Sequence, residues 1–199
     1  LNRDIYFTEN KLFKNNISSD KSSSKTTRPV VAQDVVYSLQ RLVDPSVASP
    51  GAWVMNSVVR DSSGQLSGIQ ATNDSTVVIH LSAPNPAFLS LLAMPYCSIV
   101  PKEVVEHYGT EFRRNPCGTG PFKLAFWKEN VKLVLHRNEQ YFEKLDGQQL
   151  PYLDAVEVSF INDKQSAFIE FLKRNLDIIS GLDPSSKDEL LTASGELQP

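Results

Sequence analysis

The chain has 199 residues, of which 41% are hydrophobic and 22% are charged, and its formal net charge is -3 at pH 7. These proportions are ordinary for a globular protein that is long enough to bury a core. A chain with net negative charge offers no basic field to nucleic acid, so a DNA-binding or RNA-binding role is not supported. The longest apolar runs, such as Phe88 to Met94, are far too short to cross a bilayer.

The first predicted helix follows a polar run at 18–28, which has too few apolar residues to pack and is interpreted as a solvated loop. Over Ala32–Val43 the apolar residues recur on one helical stripe, and Asp34 lies in the first turn, where the helix dipole favours an anion. Val31 precedes this helix and cannot cap it with its side chain. The missing cap costs about 1 kcal/mol unless another group replaces it.

Two further helices are predicted by their first and last residues. Asn85 and Pro86 supply a cap residue and a first-turn proline. The buried face of that helix is expected to contain Phe88, Leu89, Leu91 and Leu92. The segment Pro101 to Tyr108 repeats the pattern and ends at Gly109, a residue that commonly terminates helices.

The apolar period changes from a helical repeat to two after Gly120. Large apolar residues recur at every second position, at Phe122, Leu124 and Phe126 and again at Val131, Leu133 and Leu135, so the two segments predict a β-hairpin. Another strand is predicted at Ala155–Ile161, followed by a helix at Gln165–Lys173. A short strand at Leu176–Ser180 would complete a unit in which the two strands are parallel and the crossover is right-handed. A last helix is predicted at Pro184–Ala193, capped by Asp183.

Two sequence blocks carry a family resemblance. Ala32–Ser38 reads AQDVVYS, and Asn115–Phe122 reads NPCGTGPF. Between them lie Val43–Pro45 and Ala48–Pro50, and after them come the adjacent residues Tyr141 and Phe142. In this order, these blocks resemble the extracytoplasmic solute-binding receptors of peptide-type ABC importers. The resemblance covers nearly the whole chain from about Tyr6 onward, and the segments Ala48–Trp53 and Tyr96–Tyr108 are most similar to Bacteroidetes members.

The resemblance implies an α/β fold, namely a mixed-sheet lobe of a type II periplasmic binding protein. Residues 1–113 would correspond to part of the small outer subdomain of the first lobe, and residues 114–199 to part of its sheet-bearing core subdomain. Such receptors are far longer than 199 residues and have two lobes. The chain is therefore expected to be a fragment of the first lobe, with the second lobe absent.

The implied function is capture of peptides outside the cytoplasmic membrane and their delivery to ABC permease subunits, without a cofactor and without enzymatic activity. The location would be periplasmic or extracytoplasmic, and a lipid anchor, the oligomeric state and the peptide length preference are left open. Relatives on this scaffold bind other solutes, so a nickel complex, haem or an oligosaccharide is an alternative ligand. An enzyme or a structural domain on the same scaffold is the alternative from another class.

The sequence offers no pattern of catalytic or metal-ligating residues. His80, His107 and His136 are too far apart for an HxxxH or HExxH pattern, and solvated or structural histidines are the preferred interpretation. No serine lies in a Gly-x-Ser-x-Gly elbow. The turn Gly118-Thr119-Gly120 lacks the spacing of a phosphate loop and leads into a strand. Its glycines are interpreted as allowing unusual backbone angles and close approach.

The only two cysteines, Cys97 and Cys117, leave two alternatives open. An extracytoplasmic location would permit a disulfide between them. The sequence does not show whether their α-carbons lie within bonding reach, so two buried free thiols are at least as well supported.

The candidate ligand contacts are Gly51, Ala52 and Trp53. Some oligopeptide receptors have a tyrosine directly after the Ser-Pro that corresponds to Ser49-Pro50, and this chain has Gly51 there. Trp53 is placed to supply an aromatic wall instead. The alternative interpretation is that Trp53 packs inside the small subdomain.

Overall fold

The computed structural model describes residues 4–15, 26–184 and 191. Contacts between α-carbons divide the chain into two compact units. The first unit consists of Leu1–Ala125 and Leu135–Val156, and the second of Phe126–Val134 and Glu157–Pro199. Most of the predicted loop at 18–28 and of the predicted helix at 184–193 lies outside the described residues. The assignment of 1–113 and 114–199 to subdomains of a lobe stays a prediction.

The first helix, α1 (Ala32–Arg41), is confirmed and ends two residues earlier than predicted. Its N-cap Val31 makes no side-chain hydrogen bond, as predicted. Two other groups satisfy this end of the helix. The Asp34 carboxylate accepts a hydrogen bond from the Val31 N–H at 2.9 Å, and the Ala32 N–H donates to the Asp74 carbonyl at 2.8 Å. The missing cap is therefore compensated within the fold.

A two-stranded antiparallel hairpin packs beside α1. Strand β1 (Ile69–Asn73) pairs with β2 (Thr76–Ile79), and Ile69 lies opposite Ile79. The Asn73 side chain accepts a hydrogen bond from the Ser75 N–H at 2.9 Å, which closes the turn. The larger hydrophobic core is built between this hairpin, α1 and the segments that follow. Its buried members are Val36, Leu39, Leu42, Val54, Met55, Val58, Leu66, Ile69, Phe88 and Cys97.

Two short helices follow. Helix α2 (Phe88–Leu92) begins three residues after Asn85, whose side chain accepts from the Ala87 N–H at 3.1 Å. Phe88 is buried as expected, but the prediction for Leu89 is wrong, because its side chain is 79% exposed on a helix with one inward face. Helix α3 (Lys102–Tyr108) is confirmed and ends at Gly109, which has φ of 50°.

Arg28 joins α1 and α3 through a cluster of charges over two aromatic rings. Its guanidinium carbon lies 4.8 Å from the ring centroid of Phe7 and 5.4 Å from that of Phe13. The guanidinium donates to both carboxylate oxygens of Asp34 at 2.8 Å and to both carboxylate oxygens of Glu103, one of them at 2.8 Å. These five side chains are called the Arg28 cluster.

The Arg28 cluster covers the second hydrophobic core, whose buried members are Phe7, Phe13, Val104 and Cys117. Burial opposes the charge of Arg28, but its hydrogen bonds to Asp34 and Glu103 outweigh that effect and raise the pKa of the guanidinium. Burial opposes the charge of Glu103 as well, but the hydrogen bond and the positive charge of Arg28, together with a backbone hydrogen bond, outweigh that effect and lower the pKa of the carboxyl. Both shifts indicate that the charged forms are the stable ones in the fold.

A three-stranded sheet has the order β3-β4-β7, with β3 at Phe122–Lys128, β4 at Lys132–Arg137 and β7 at Ala155–Ser159. The predicted hairpin is confirmed, since the short link between β3 and β4 allows only an antiparallel pair. The Arg137 N–H donates to the Asp154 carbonyl at 2.8 Å, and the Phe160 N–H donates to the Val131 carbonyl at 3.1 Å. These two bonds show that β4 and β7 also run antiparallel.

A second hairpin, of β5 (Lys144–Leu145) and β6 (Gln148–Gln149), was not predicted. Its turn residues Asp146 and Gly147 both have positive φ, at 50° and 80°. That combination is typical of the two-residue turn that Asp-Gly forms between antiparallel strands. The dipeptide was the signal in the sequence that could have identified this hairpin.

Helix α4 (Lys164–Leu172) is confirmed, and Asp163 caps it by accepting a hydrogen bond from the Ser166 N–H at 2.7 Å. The predicted strand at Leu176–Ser180 is wrong, and with it the parallel crossover. Those residues adopt no strand and pair with no other strand in the described part of the chain. A strand forms only where a neighbouring strand accepts its backbone hydrogen bonds, and none of the described strands pairs with this segment. Ile178 in this segment is 85% exposed.

The second unit buries little of its apolar surface. Phe168 of α4 is the one fully buried apolar side chain among its described residues, 126–134, 157–184 and 191. Its exposed large apolar side chains are Phe126, Val131, Val158, Phe160, Ile161, Ile169, Leu172, Ile178 and Leu182. Throughout the described ranges, the helices are too short or too polar to pass through a membrane.

Candidate ligand-binding site

The segment that leads to the candidate contacts is held by hydrogen bonds within its own turns. The Asp44 carboxylate accepts from the Ser46 N–H at 2.8 Å and from the Ser46 hydroxyl at 2.7 Å. Ala48 has φ of 48°, and the Ser49 hydroxyl oxygen then accepts from the Gly51 N–H at 3.2 Å. These turns place Gly51 at the start of a short 3₁₀ helix, Ala52–Met55.

This 3₁₀ helix turns Trp53 toward solvent. Val54 and Met55 are fully buried in the larger core and fix the helix there. Ala52 is half-buried, and the Trp53 side chain is 48% exposed. The interpretation that Trp53 packs inside the small subdomain is therefore wrong, because its neighbours Val54 and Met55 occupy the core side of the helix. Its role as a ligand contact stays a prediction.

Gly51 is buried, and the side chain that covers it is Tyr96. A Cβ atom built on Gly51 would lie 2.3 Å from Cγ of the Tyr96 ring. Tyr96 belongs to the 3₁₀ helix Pro95–Cys97, which Cys97 anchors in the larger core. The ring itself is 40% exposed. Sequence analysis missed Tyr96, and no local pattern could have found it, since the contact joins segments far apart in the chain.

Trp53 and Tyr96 are called the aromatic pair. Within residues 4–15, 26–184 and 191, neither the Trp53 indole N–H nor the Tyr96 hydroxyl has a hydrogen-bond partner. Each side chain thus offers an exposed ring together with a polar group that can donate a hydrogen bond. Ligand sites commonly combine such apolar surface with a few donors, so the aromatic pair is suited to a ligand with carbonyl oxygens.

The glycines of the turn at 118–120 do not have the predicted role. Neither Gly118 nor Gly120 has positive φ, and a Cβ on either residue would meet nothing within 4 Å. Their carbonyl oxygens are what the fold uses. Gly118 accepts from the Thr8 N–H at 2.8 Å, and Gly120 accepts from the Asn138 side-chain amide at 2.9 Å. The prediction that these glycines permit unusual angles and close approach is wrong.

Both cysteines are free and buried, which decides between the two alternatives left open by the sequence. Cys97 lies in the larger core and Cys117 in the second core. The Cys117 thiol interacts with Thr8, whose hydroxyl lies 3.6 Å from the sulfur and whose carbonyl accepts from the thiol at 3.4 Å. Burial raises the pKa of Cys117 to about 11 and also raises that of Cys97.

The three histidines are exposed, which confirms the interpretation that they are solvated rather than clustered. They lie at His80, His107 and His136. In the part of the chain that the structure describes, no group of three or more His, Cys, Asp or Glu side chains is placed to hold a metal ion.

Two surface clefts lie elsewhere in the first unit, and Gly51, Ala52 and Trp53 line neither of them. One cleft of about 490 Å³ lies beside the end of α1. Another of about 570 Å³ is lined by Asp4, Tyr6, Glu9, Thr26, Thr27, Glu139, Gln140, Tyr141, Phe142, Lys144 and Gln149. Of the three candidate contacts, only Trp53 is exposed, whereas Ala52 is half-buried and Gly51 is buried.

The family model described as bacterial extracellular solute-binding proteins, family 5 Middle, matches residues 9–198. The chain belongs to this family. This finding confirms the family predicted from the two sequence blocks. The closer likeness of 48–53 and 96–108 to Bacteroidetes members stays a prediction.

The chain is also similar to individual curated proteins. It is 35% identical over 164 residues to the periplasmic oligopeptide-binding protein OppA of Salmonella typhimurium, a match that covers 75% of the chain and 30% of that protein. It is 32% identical over 139 residues to the probable deoxycholate-binding periplasmic protein YgiS of Escherichia coli, covering 63% of the chain and 26% of that protein. The chain thus spans less than a third of the length of these relatives.

Among solved structures, the chain is similar to the ABC transporter-associated periplasmic binding protein DppA from Helicobacter pylori in complex with the peptide STSA. The TM-score is 0.74 at 25% sequence identity, and the match covers 96% of the chain and 36% of that protein. The predicted α/β fold of a type II periplasmic binding protein is confirmed by this likeness.

Proposed function

We propose that the chain is part of the substrate-binding component of an ABC importer, which captures peptides outside the cytoplasmic membrane and delivers them to the permease subunits. The observation that carries the proposal is the match of 75% of the chain to a periplasmic oligopeptide-binding protein. The likeness to a receptor solved with a bound peptide supports the same ligand class. As part of this proposal, residues 1–113 belong to the small outer subdomain of the first lobe of the receptor, and residues 114–199 to its sheet-bearing core subdomain.

A receptor for peptides of variable sequence must bind what all peptides share. Backbone amides and carbonyls, together with the charged termini, can be paired with fixed groups of the protein, while side chains occupy roomy and hydrated pockets. Closure of two lobes then excludes bulk water and creates the surface that a permease recognises. We propose that the segment Gly51, Ala52 and Trp53 lines the ligand site, with Trp53 exposed on a core-anchored helix and Gly51 buried beneath the side chain of Tyr96.

The proposed action is binding without a change in the bonds of the ligand, and it requires no cofactor. The named relatives are binding proteins, which supports this part of the proposal. A periplasmic or extracytoplasmic location is supported by the same relatives, which are both named as periplasmic proteins. The exposed rings and hydrogen-bond donors of the aromatic pair are suited to bind a ligand by non-covalent contacts.

Native mass spectrometry of the full-length receptor, purified with the ligand it retains, tests the proposal. A ladder of bound masses that corresponds to peptides is the expected result. Loss of intact peptide and release of cleaved fragments during incubation would instead assign enzymatic activity and overturn the proposal.

A second candidate is a receptor for a non-peptide solute, such as a nickel complex, haem, an oligosaccharide or a steroid acid. It is favoured by the relative that is named as a probable deoxycholate-binding protein. The same spectra distinguish the two candidates, because a non-peptide solute gives one additional mass in place of a ladder.

A further inference from the structure

We infer that Tyr96 is a specificity-determining residue that contacts the ligand, and that Gly51 is the residue that makes room for its ring. The inference rests on the proposed peptide-binding function and names a contact within it. Tyr96 belongs to a segment separate from residues 51–53 and adds a side chain to them.

The geometry shows that residue 51 and Tyr96 compete for one space. A Cβ on Gly51 would lie 2.3 Å from Cγ, 2.5 Å from Cβ and 2.7 Å from Cδ1 of Tyr96. Any side chain at position 51 therefore requires the whole Tyr96 side chain to shift, and because its Cβ is fixed to the backbone, the backbone at residue 96 must move with the ring. The space beside the backbone of residue 51 can therefore hold the side chain of residue 51 or that of residue 96, but not both.

Both partners of this contact stand on fixed backbone. The Gly51 N–H donates to the Ser49 hydroxyl oxygen at 3.2 Å, and the Val54 N–H donates to the Gly51 carbonyl at 3.1 Å. On the other side, the Cys97 N–H donates to the Met94 carbonyl at 2.9 Å, and Cys97 itself is buried in the larger core. A ring held on such a base is preorganised, so it loses little conformational freedom when a ligand covers it.

The chemistry of Tyr96 fits a peptide. The base of its side chain, from Cβ to Cδ1, lies against Gly51, and Tyr96 remains 40% exposed to solvent. Its hydroxyl has no partner among the described residues and is free to donate to a backbone carbonyl of the ligand. Trp53, two residues after Gly51, presents a second exposed ring and a second donor on the same unit. The ring of Tyr96 would pack against apolar atoms of the ligand while its hydroxyl binds a carbonyl.

The test measures affinity of the full-length receptor by calorimetry, with alanine and leucine peptides of three to five residues as probes. Tyr96→Ala is expected to weaken binding by about 10-fold or more, since ring contact and hydrogen bond are both lost. Tyr96→Phe keeps the ring and is expected to weaken binding by only about 3-fold. Tyr152→Ala is the matched control, because Tyr152 is also exposed and lies in the same unit.

Gly51→Ala tests the geometry separately. It leaves Tyr96 in the chain but displaces the ring, so it is expected to weaken binding about as much as Tyr96→Ala does. The double variant Gly51→Ala with Tyr96→Ala should weaken binding no further, because the ring that Gly51→Ala displaces is already absent. Thermal unfolding of each variant checks the fold, and the two Tyr96 variants suffice if Gly51→Ala fails to fold.

The outcomes separate this inference from the proposed function. A wild-type receptor that binds none of the peptides overturns the proposed function, and the inference falls with it. A wild-type receptor that binds peptides while Tyr96→Ala binds within about 2-fold of it leaves the function standing and overturns the inference. Independent, multiplying losses from Gly51→Ala and Tyr96→Ala would also overturn it.

Discussion

Replacing Arg28 with methionine is expected to destabilise the chain more than any substitution of an exposed charge. The side chains of Arg28 and Asp34 are only 16% and 6% exposed, so their charges are poorly solvated. Removal of one member of a buried ion pair costs about 3–5 kcal/mol, because the remaining charge is left uncompensated. Loss of the contacts with Phe7 and Phe13 adds about 0.5–1 kcal/mol each. We therefore expect the free energy of unfolding to fall by about 4–7 kcal/mol.

The loss should depend on pH in a defined direction. Burial raises the pKa of Glu103, but the hydrogen bond and charge of Arg28, together with a backbone hydrogen bond, outweigh it, so the pKa is lowered in the fold. A carboxyl with a lowered folded-state pKa stabilises the protein above its unfolded-state pKa, which is about 4.3, and this stabilisation is lost as the pH falls through the folded-state value. Arg28→Met has no such stabilisation to lose. The wild type therefore exceeds the variant in free energy of unfolding by the largest amount at neutral pH, and this excess becomes smaller below about pH 4.

Urea unfolding followed by circular dichroism, at about pH 7 and about pH 3.5, measures both effects. Arg28→Lys keeps the charge but loses the paired hydrogen bonds, so an intermediate loss is expected. Lys102→Met is the control, because the Lys102–Glu106 pair is exposed and such pairs contribute about 0–1 kcal/mol. A loss below about 1 kcal/mol for Arg28→Met at neutral pH, or an equal loss at both pH values, would refute this reasoning.

Three other predictions follow from the structure. Burial raises the pKa of Cys117 to about 11, so it and Cys97 should resist a thiol reagent at neutral pH until a denaturant is added; rapid labelling of the native protein would contradict this. Leu39→Ala should cost about 2–5 kcal/mol in urea unfolding and Leu89→Ala less than about 0.5, since Leu39 is buried and Leu89 is exposed; similar losses would be unexpected. The 199-residue chain alone should give no measurable heat with peptides, because it spans 30% of the length of OppA; micromolar binding would show that the chain already contains the main ligand contacts.

Apolar periodicity predicts those helices and strands whose formation depends on residues close to one another in the sequence. The helices α1 and α3 were identified because an apolar stripe coincides with a first-turn acid or a terminal glycine. The hairpin of β3 and β4 was identified because alternation on both sides of a short link leaves one pairing. The strand expected at 176–180 failed because its apolar residues say nothing about a hydrogen-bonding neighbour.

The candidate site was only partly accessible to such reasoning. A family resemblance located residues 51–53, but it could not show that Val54 and Met55 occupy the core and turn Trp53 outward. The contact of Gly51 with Tyr96 depends on the path of the chain between them. Physical complementarity across such a distance is a property of the folded molecule, and no spacing in the sequence encodes it.

The described residues of the second unit bury few apolar side chains, which limits how much the unit stabilises itself. Burial of the Phe168 ring contributes about 2–3 kcal/mol, whereas ordering each residue of a backbone costs about 1–2 kcal/mol. Among the described residues of this unit, the one buried ring therefore offsets the ordering of only about one to three residues. The described strands and helix gain too little from that single side chain for apolar burial within the unit to hold them in order.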